Sequence, residues 1–381
     1  MSTVRNILSP HFPNNHRRTM LDLIKPKFER LLAVLWREEP DILPLYEHFV
    51  DAEVIEAMTG EPLRSLNLSK KEGKLRYIRV LIKFYKGMGY DYVPLELPLN
   101  LPRNNVLLAE DTAALSRGLR AWQDESRGVI ESRDDYHEYP WPDPDSAVDY
   151  ELMDILCKEV PENMGIVGGV AGGILEHVMW LMGTRPFFRA LYRDEWLIRN
   201  MFDTIGSLIC AVDSHLVELD KLGVLRMGDD MGFRMGTFVS PMHLRKYVFP
   251  WQRRCVQLAH RHGKPFILHS CGNLERVMED IIDYVGIDAK HSFEDAIMPV
   301  TEVKKKYGDK IAILGGVDVD KLARWPLNQF KEYVKGIIKA CAPGGGYALG
   351  SGNTITNYVK IENYITMIKL RAKYGKYPAS P

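Results

Sequence analysis

His269 and Cys271 stand two apart in the run His269-Ser270-Cys271-Gly272-Asn273. Alternate residues of an extended chain point to one side, so this imidazole and this thiol can converge on one ion. A mixture of His nitrogen and Cys sulfur suits zinc. Glu294 follows the next short apolar run and is placed to supply a third ligand from the adjacent strand end. Three protein ligands with a fourth position left open is how a catalytic zinc is held. The competing interpretation is a buried thiol beside a hydrogen-bonded histidine, because the pair alone is a weak signal. Asp229-Asp230, within GDDMG, offers general-base work or a grip on a substrate cation. Neighbours on a strand face opposite ways, so one Asp is expected in the site and the other in the framework. Glu47-His48 carries the same ambiguity.

These residues need a scaffold, and the chain alternates a short apolar strand with a helix of period 3.6. Eight strand candidates can be counted: Leu43–Tyr46, Tyr92–Leu95, Gly165–Gly168, Val224–Met227, Pro265–Leu268, Gly286–Ala289, Ile311–Leu314 and Gly346–Leu349. Helices are expected between them, the clearest over Leu197–Leu219, with Ile198, Met201, Phe202, Ile205, Ile209, Val212 and Leu216 on one face. Eight such units predict an α/β fold of the (β/α)₈ TIM-barrel type. A doubly wound sheet would need a Gly-rich phosphate loop after its first strand, and none is present. The expected division is an N-terminal arm over 1–39 with a helix at Leu21–Arg37, then a barrel over 40–381. An insertion at about 105–145 includes a hairpin in Arg117–Asp135 and the turn YPWPDPD.

In such a barrel the site lies at the C-terminal strand ends, where all the residues above fall. Gly172 and Gly173 let backbone approach a ligand or cap the third strand. Asn273, Ser351 and Asn353 end the fifth and eighth strands and are expected beside a cofactor, whereas Met179, Trp180 and Met182 are expected in the core.

The bulk properties exclude several classes. Lys+Arg and Asp+Glu are 50 each in 381 residues, so no basic excess points to nucleic acid. The first twenty residues lack an apolar core of the signal-peptide kind, and runs such as Ile166–Leu175 are too short to span a bilayer. Five scattered cysteines, at 157, 210, 255, 271 and 341, read as reduced thiols of a cytoplasmic protein.

Taken together, GGVAGGILEHVMWLMG, LGVLRMGDDMG, HSCGN, GIDAKHSFEDA and AILGGVDVDKL resemble the uroporphyrinogen decarboxylase superfamily, in its order and spacing over about 40–375. The resemblance implies the TIM barrel and one of two chemistries. True decarboxylases grip substrate carboxylates with an Arg-rich segment after the first strand. Here that segment is EHFVDAEVIEAMTG, with no arginine before Arg64. The second strand ends in PLELPLN, with Glu96 its only acid, and LGSG stands where decarboxylases have a segment like LGHG, so Ser351 replaces a histidine. An octa-carboxylate would be poorly neutralised.

The other branch, the cobamide-dependent methyltransferases, holds zinc through an HxC motif and a later Cys. His269 and Cys271 match the motif; the later Cys would align near Asn353 and is missing. Cobalamin-independent methionine synthase is similar in this region, with a Glu at nearly the spacing of Glu294. The resemblance therefore implies a methyltransferase moving a methyl group between a small O-, N- or S-methyl compound and a corrinoid carried by a partner protein. His269, Cys271 and Glu294 would hold zinc, and Asp229 or Asp230 with His48 would contact substrate. The alternatives are a metal-free decarboxylase anchored by Asp230 and a barrel that binds a corrinoid without catalysis.

Overall fold

The computed structural model describes residues 24–103, 106–123 and 126–378. Seven parallel strands form one curled sheet: β1 (Tyr92–Pro98), β4 (Gly165–Ala171), β5 (Leu222–Gly228), β8 (Phe266–His269), β9 (Ala289–His291), β10 (Ala312–Leu314) and β11 (Tyr347–Ala348), each bonded to the next in chain order. Between β1 and β4 the chain makes an antiparallel hairpin of β2 (Val106–Glu110) and β3 (Leu119–Gln123), which begins ahead of the stretch expected to form one and overlaps its start. A second small hairpin, β6 (Gly232–Phe233) with β7 (Gly236–Thr237), follows β5 at the mouth. Long amphipathic helices such as Glu195–Leu216 and Leu327–Cys341 cover the sheet and bury one face each.

The eighth strand expected at Leu43–Tyr46 is a single parallel bridge, Leu45 to Leu349, held by Leu349 N–H to Pro44 oxygen at 3.0 Å and Tyr46 N–H to Leu349 oxygen at 2.9 Å. On its other side no backbone hydrogen bond joins this segment to β1 among the described residues. Pro44 and Pro94 have no N–H to give. The Tyr92 phenol fills the gap, accepting from Glu47 N–H at 2.8 Å and donating to Glu47 oxygen at 2.7 Å.

The sixth expected strand, Gly286–Ala289, lies later, at Ala289–His291. Gly286 ends the preceding helical turn with φ of 82°, and the Asp288 carboxylate accepts from Phe266 N–H, so the chain extends only after it. Lys290 and His291 are therefore strand residues. The expected N-terminal arm begins in residues outside those described. Its helix, Glu29–Leu35, sends Leu31, Val34 and Leu35 into the common core. Phe28 seals the opposite end of the barrel: a Cβ on Gly165 or Gly223 would lie within 2.5 Å of its ring.

Candidate metal centre at the barrel mouth

Three strand ends lie side by side in register, with Gly228 opposite His269 and His269 opposite His291. Register of this kind puts the two imidazoles on the same face of the sheet. Their rings meet through Nδ1 atoms 2.7 Å apart, and His291 Nε2 sits 3.1 Å from the Ser351 carbonyl. Burial holds both rings neutral, moving His291 down to about 3 and His269 well below the usual histidine range. The tautomers then follow. A carbonyl only accepts, so His291 carries its proton on Nε2 and offers a lone pair at Nδ1. His269 must donate from its own Nδ1, which leaves its Nε2 as a bare lone pair.

That lone pair points to the mouth. Cys271 Sγ is 3.5 Å from His269 Nε2, and Asp230 Oδ1 is 3.7 Å from it. Donors 2.0–2.3 Å from a tetrahedral zinc are about 3.3–3.7 Å from one another, so these separations are those of a metal's ligands. Cys271 N–H donates to Asp230 Oδ1 at 2.7 Å and fixes the carboxylate. Asn353 Nδ2 donates to Cys271 Sγ at 3.2 Å. Ser292 gives its own proton to Gly352 oxygen, which turns its lone pairs toward the same sulfur at 3.5 Å. Burial and the Asp230 charge push the Cys271 thiol far up, a bias that a bound cation would reverse. The residues therefore fit a zinc ion.

Among the described residues, two groups of three bring metal-ligating atoms within 4.8 Å of one another: Asp230, His269 and Cys271, and His48, His269 and His291. The second group is committed elsewhere. His48 stacks flat on His269, with centroids 4.0 Å apart, and the facing Nδ1 atoms of His269 and His291 share a proton. Glu294 belongs to neither group, so the carboxylate beside the HxC pair comes from the strand before it, not the strand after.

Asp229 and Asp230 divide as neighbours on a strand should. Asp229 is wholly buried, accepting from Leu175 and Glu176 N–H and from the Gln252 amide at 2.8 Å, while Asp230 keeps 36 % of its side chain exposed at the mouth. Burial pushes Asp229 up to about 7 against those hydrogen bonds.

Glu47 and Ser351 were expected at a ligand and are spent on each other. Both are fully buried, and Glu47 accepts the Ser351 N–H at 2.7 Å and its hydroxyl. Burial pushes the Glu47 carboxyl up to about 8. Gly172 and Gly173 cradle the protein itself: a Cβ on Gly172 would lie 2.6 Å from Trp180, and one on Gly173 2.1 Å from Asp229 Cβ. Asn273 Oδ1 accepts from Glu275 N–H, starting the next helical turn. Of the residues assigned to the core, Met182 is buried, but Trp180 is partly open, beneath the Arg103 guanidinium at 4.9 Å.

Besides His291, three participants were not anticipated. Glu176, in the first turn after β4, takes Gly173 N–H, and burial together with the Asp230 and Asp229 charges pushes it up to about 9. Lys290 is a buried cation beneath the rim, donating to Ser270 and Ser292 oxygens at 3.0 and 2.8 Å, and desolvation brings it down to about 8. Arg226 crosses the barrel interior to pair with Glu96 at 3.0 Å. A lysine or an arginine in an apolar strand is the available signal, since such a residue is placed inside for a reason.

No helix among the described residues is long and apolar enough to cross a membrane. Comparison with solved structures finds a methyltransferase from Methanosarcina mazei with TM-score 0.66 at 18% identity, over 91% of this chain and 98% of that one. A glycosylated endo-beta-1,4-xylanase from Gloeophyllum trabeum matches with TM-score 0.40 at 10% identity, over 59% of this chain and 81% of its own. An intracellular xylanase from Thermoanaerobacterium saccharolyticum matches with TM-score 0.37 at 12% identity, over 87% and 89%. No curated protein matches the sequence. The sequence profile of uroporphyrinogen decarboxylase (URO-D) matches residues 126–374, well over half of the chain, and the chain belongs to that family.

Proposed function

We propose that the chain is a methyltransferase that moves a methyl group between a small O-, N- or S-methyl compound and a corrinoid carried by a partner protein, with zinc at the barrel mouth. The observation that carries this is the ligand spacing of His269 Nε2, Cys271 Sγ and Asp230 Oδ1 around one bare lone pair. The methyltransferase from Methanosarcina mazei shares the fold, which agrees with the proposal.

His269, Cys271 and Asp230 would hold the ion. Zinc supplies Lewis acidity toward the oxygen, nitrogen or sulfur that bears the methyl group. The rest belongs to the chain. His291 holds the His269 lone pair toward the mouth, and Asn353 orients the Cys271 sulfur. Glu176 holds a proton on a carboxyl oxygen beside Asp230, ready for a heteroatom that gains charge as it loses methyl. The Glu96–Arg226 pair closes the floor below. Arg226 is buried, its Nε paired with Glu96 and its Nη1 donating to the His48 oxygen at 2.5 Å, and so offers little grip for a substrate carboxylate. This speaks against decarboxylation of a porphyrinogen.

The test supplies free cob(I)alamin and a panel of methoxy, methylamine and methylthio compounds to the zinc-loaded full chain. Absorbance then follows methylation of the cobalt. The expected result is zinc-dependent methylation from at least one class. Consumption of uroporphyrinogen at roughly 1 s⁻¹ or faster, or a wild-type chain that retains no zinc, would overturn the proposal.

A further inference from the structure

Two thiols outside the barrel mouth face each other across a helix pair. Helix Glu195–Leu216 carries Cys210, helix Phe249–Arg261 carries Cys255, and the two sulfurs are 3.0 Å apart. Both thiols are free. Cys255 has no exposed surface, while Cys210 is half-buried and within reach of a small solute. The helices approach closely because Gly206 has no side chain: a Cβ there would lie 2.2 Å from the Trp251 ring.

A third group completes the cluster. Asp213, one turn beyond Cys210, is 1% exposed, lies beside Cys255, and has an Oδ1 with no hydrogen-bond partner. A carboxyl buried this way is costly, and neither the barrel core nor the mouth uses it. Beside two thiols it has a use, as an acceptor for a thiol proton.

We propose that Cys210 and Cys255 are a redox-active pair that closes to a disulfide when a peroxide reaches Cys210, with Asp213 as the base. The Cys210 sulfur attacks one peroxide oxygen, the O–O bond breaks, and water leaves a sulfenic acid behind. Cys255 then gives its proton to Asp213, its sulfur attacks that of Cys210, the S–O bond breaks, and a second water departs with the proton. Two thiols lose two electrons and two protons, and the peroxide becomes two waters. The sulfurs need to approach by about 1 Å to reach disulfide length, within the reach of side-chain rotation. Gln252, one turn before Cys255, is the residue whose amide holds Asp229, so the bond braces the helix behind the mouth.

The full chain is treated with hydrogen peroxide, quenched, denatured, alkylated and mapped by peptide mass. The expected product joins the Cys210 and Cys255 peptides and is lighter by two hydrogens. Its thermal midpoint should rise by about 5 °C and fall back with dithiothreitol. In Cys255→Ser, a sulfenic acid should persist on Cys210 and be trapped by dimedone. In Asp213→Asn, joining should slow by about tenfold toward the same endpoint. Cys210 and Cys255 both alkylated after treatment, or oxidised further without joining, would overturn the proposal. An unchanged rate in Asp213→Asn would remove the base.

Discussion

The two halves of the barrel rim are built from similar residues and end in opposite conditions. On the side of β1, β11 and the Pro44–His48 segment, the carboxylates are tied up by neighbouring side chains and backbone, although Tyr46 Oη and His48 Nδ1 lack a hydrogen-bond partner among the described residues. Glu47 takes both protons of Ser351, Tyr92 takes the Glu47 backbone, and Glu96 takes Arg226. On the side of β5, β8 and β9, three donor atoms converge at the opening: His269 Nε2, Cys271 Sγ and Asp230 Oδ1. A carboxylate near a barrel mouth is therefore no evidence of chemistry until its partners are counted. Glu47 and Asp230 look alike in sequence, yet one closes the ring and the other faces the opening.

The largest expected effect breaks the open side alone. Cys271→Ala should lower zinc affinity by about a hundredfold or more while leaving the urea unfolding free energy within about 1 kcal/mol, because the core lies beneath the thiol. Equilibrium dialysis and a denaturation curve on one preparation test both halves; equal zinc retention would erase the contrast. The matching change on the closed side is Glu47→Ala. It should cost on the order of 3 kcal/mol by stranding the Ser351 N–H and hydroxyl, with zinc per folded chain unchanged.

Next in size is His291→Phe, which keeps a ring but removes the acceptor for His269 Nδ1. Zinc should bind about 10–100-fold more weakly, read by chelator competition, and wild-type affinity would show that the relay is idle. Asp230→Asn against Glu294→Gln then decides which carboxylate serves: about tenfold weaker for the first, less than about twofold for the second.

The closed side also carries a pH dependence. The Glu47 carboxyl sits at about 8 in the folded chain, above its value in an unfolded one. The folded state thus binds the proton more tightly, and this contribution is complete at low pH and lost as pH rises through 8. Glu47→Gln has no such loss, so its stability relative to wild type should improve by roughly 4 kcal/mol between pH 5 and 9. Urea midpoints at both values check it, and a constant offset would contradict the assignment.

The parallel order of the sheet was legible because apolar runs and helical stripes alternate with few exceptions. So was the HxC pair, whose spacing is a local matter. The carboxylate that lies beside that pair was not. Glu294 and Asp230 both end strands adjacent to β8, and periodicity does not tell which neighbour turns its carboxylate inward. That is settled by Cys271 N–H, which captures Asp230 through a backbone contact no spacing rule contains. His291 stayed hidden because β9 begins three residues later than its apolar pattern suggests, after Gly286 and Asp288 have finished their turn. Glu176 stands in the first turn of a helix, where an acid is ordinary, and it does cap that helix. Its second role depends on Asp229 and Asp230, more than fifty residues away.

A ring of strands is only as continuous as its least bonded join, and here that join lies between β1 and the Pro44–His48 segment. Six neighbouring strand pairs share ladders, whereas this one is fastened by a phenol. Fluctuations that part it break the two Tyr92 hydrogen bonds, the contact of the His48 ring with Glu96 and the Arg226 bond to the His48 oxygen, and leave the ladders intact. Native-state amide exchange should begin there, at free energies below that of global unfolding. His48 rides on the moving edge and covers one face of the His269 ring. The donor triad rides on the strands that stay. Breathing at the seam therefore uncovers the imidazole without displacing it, and a guest can be admitted while the ligand geometry is kept.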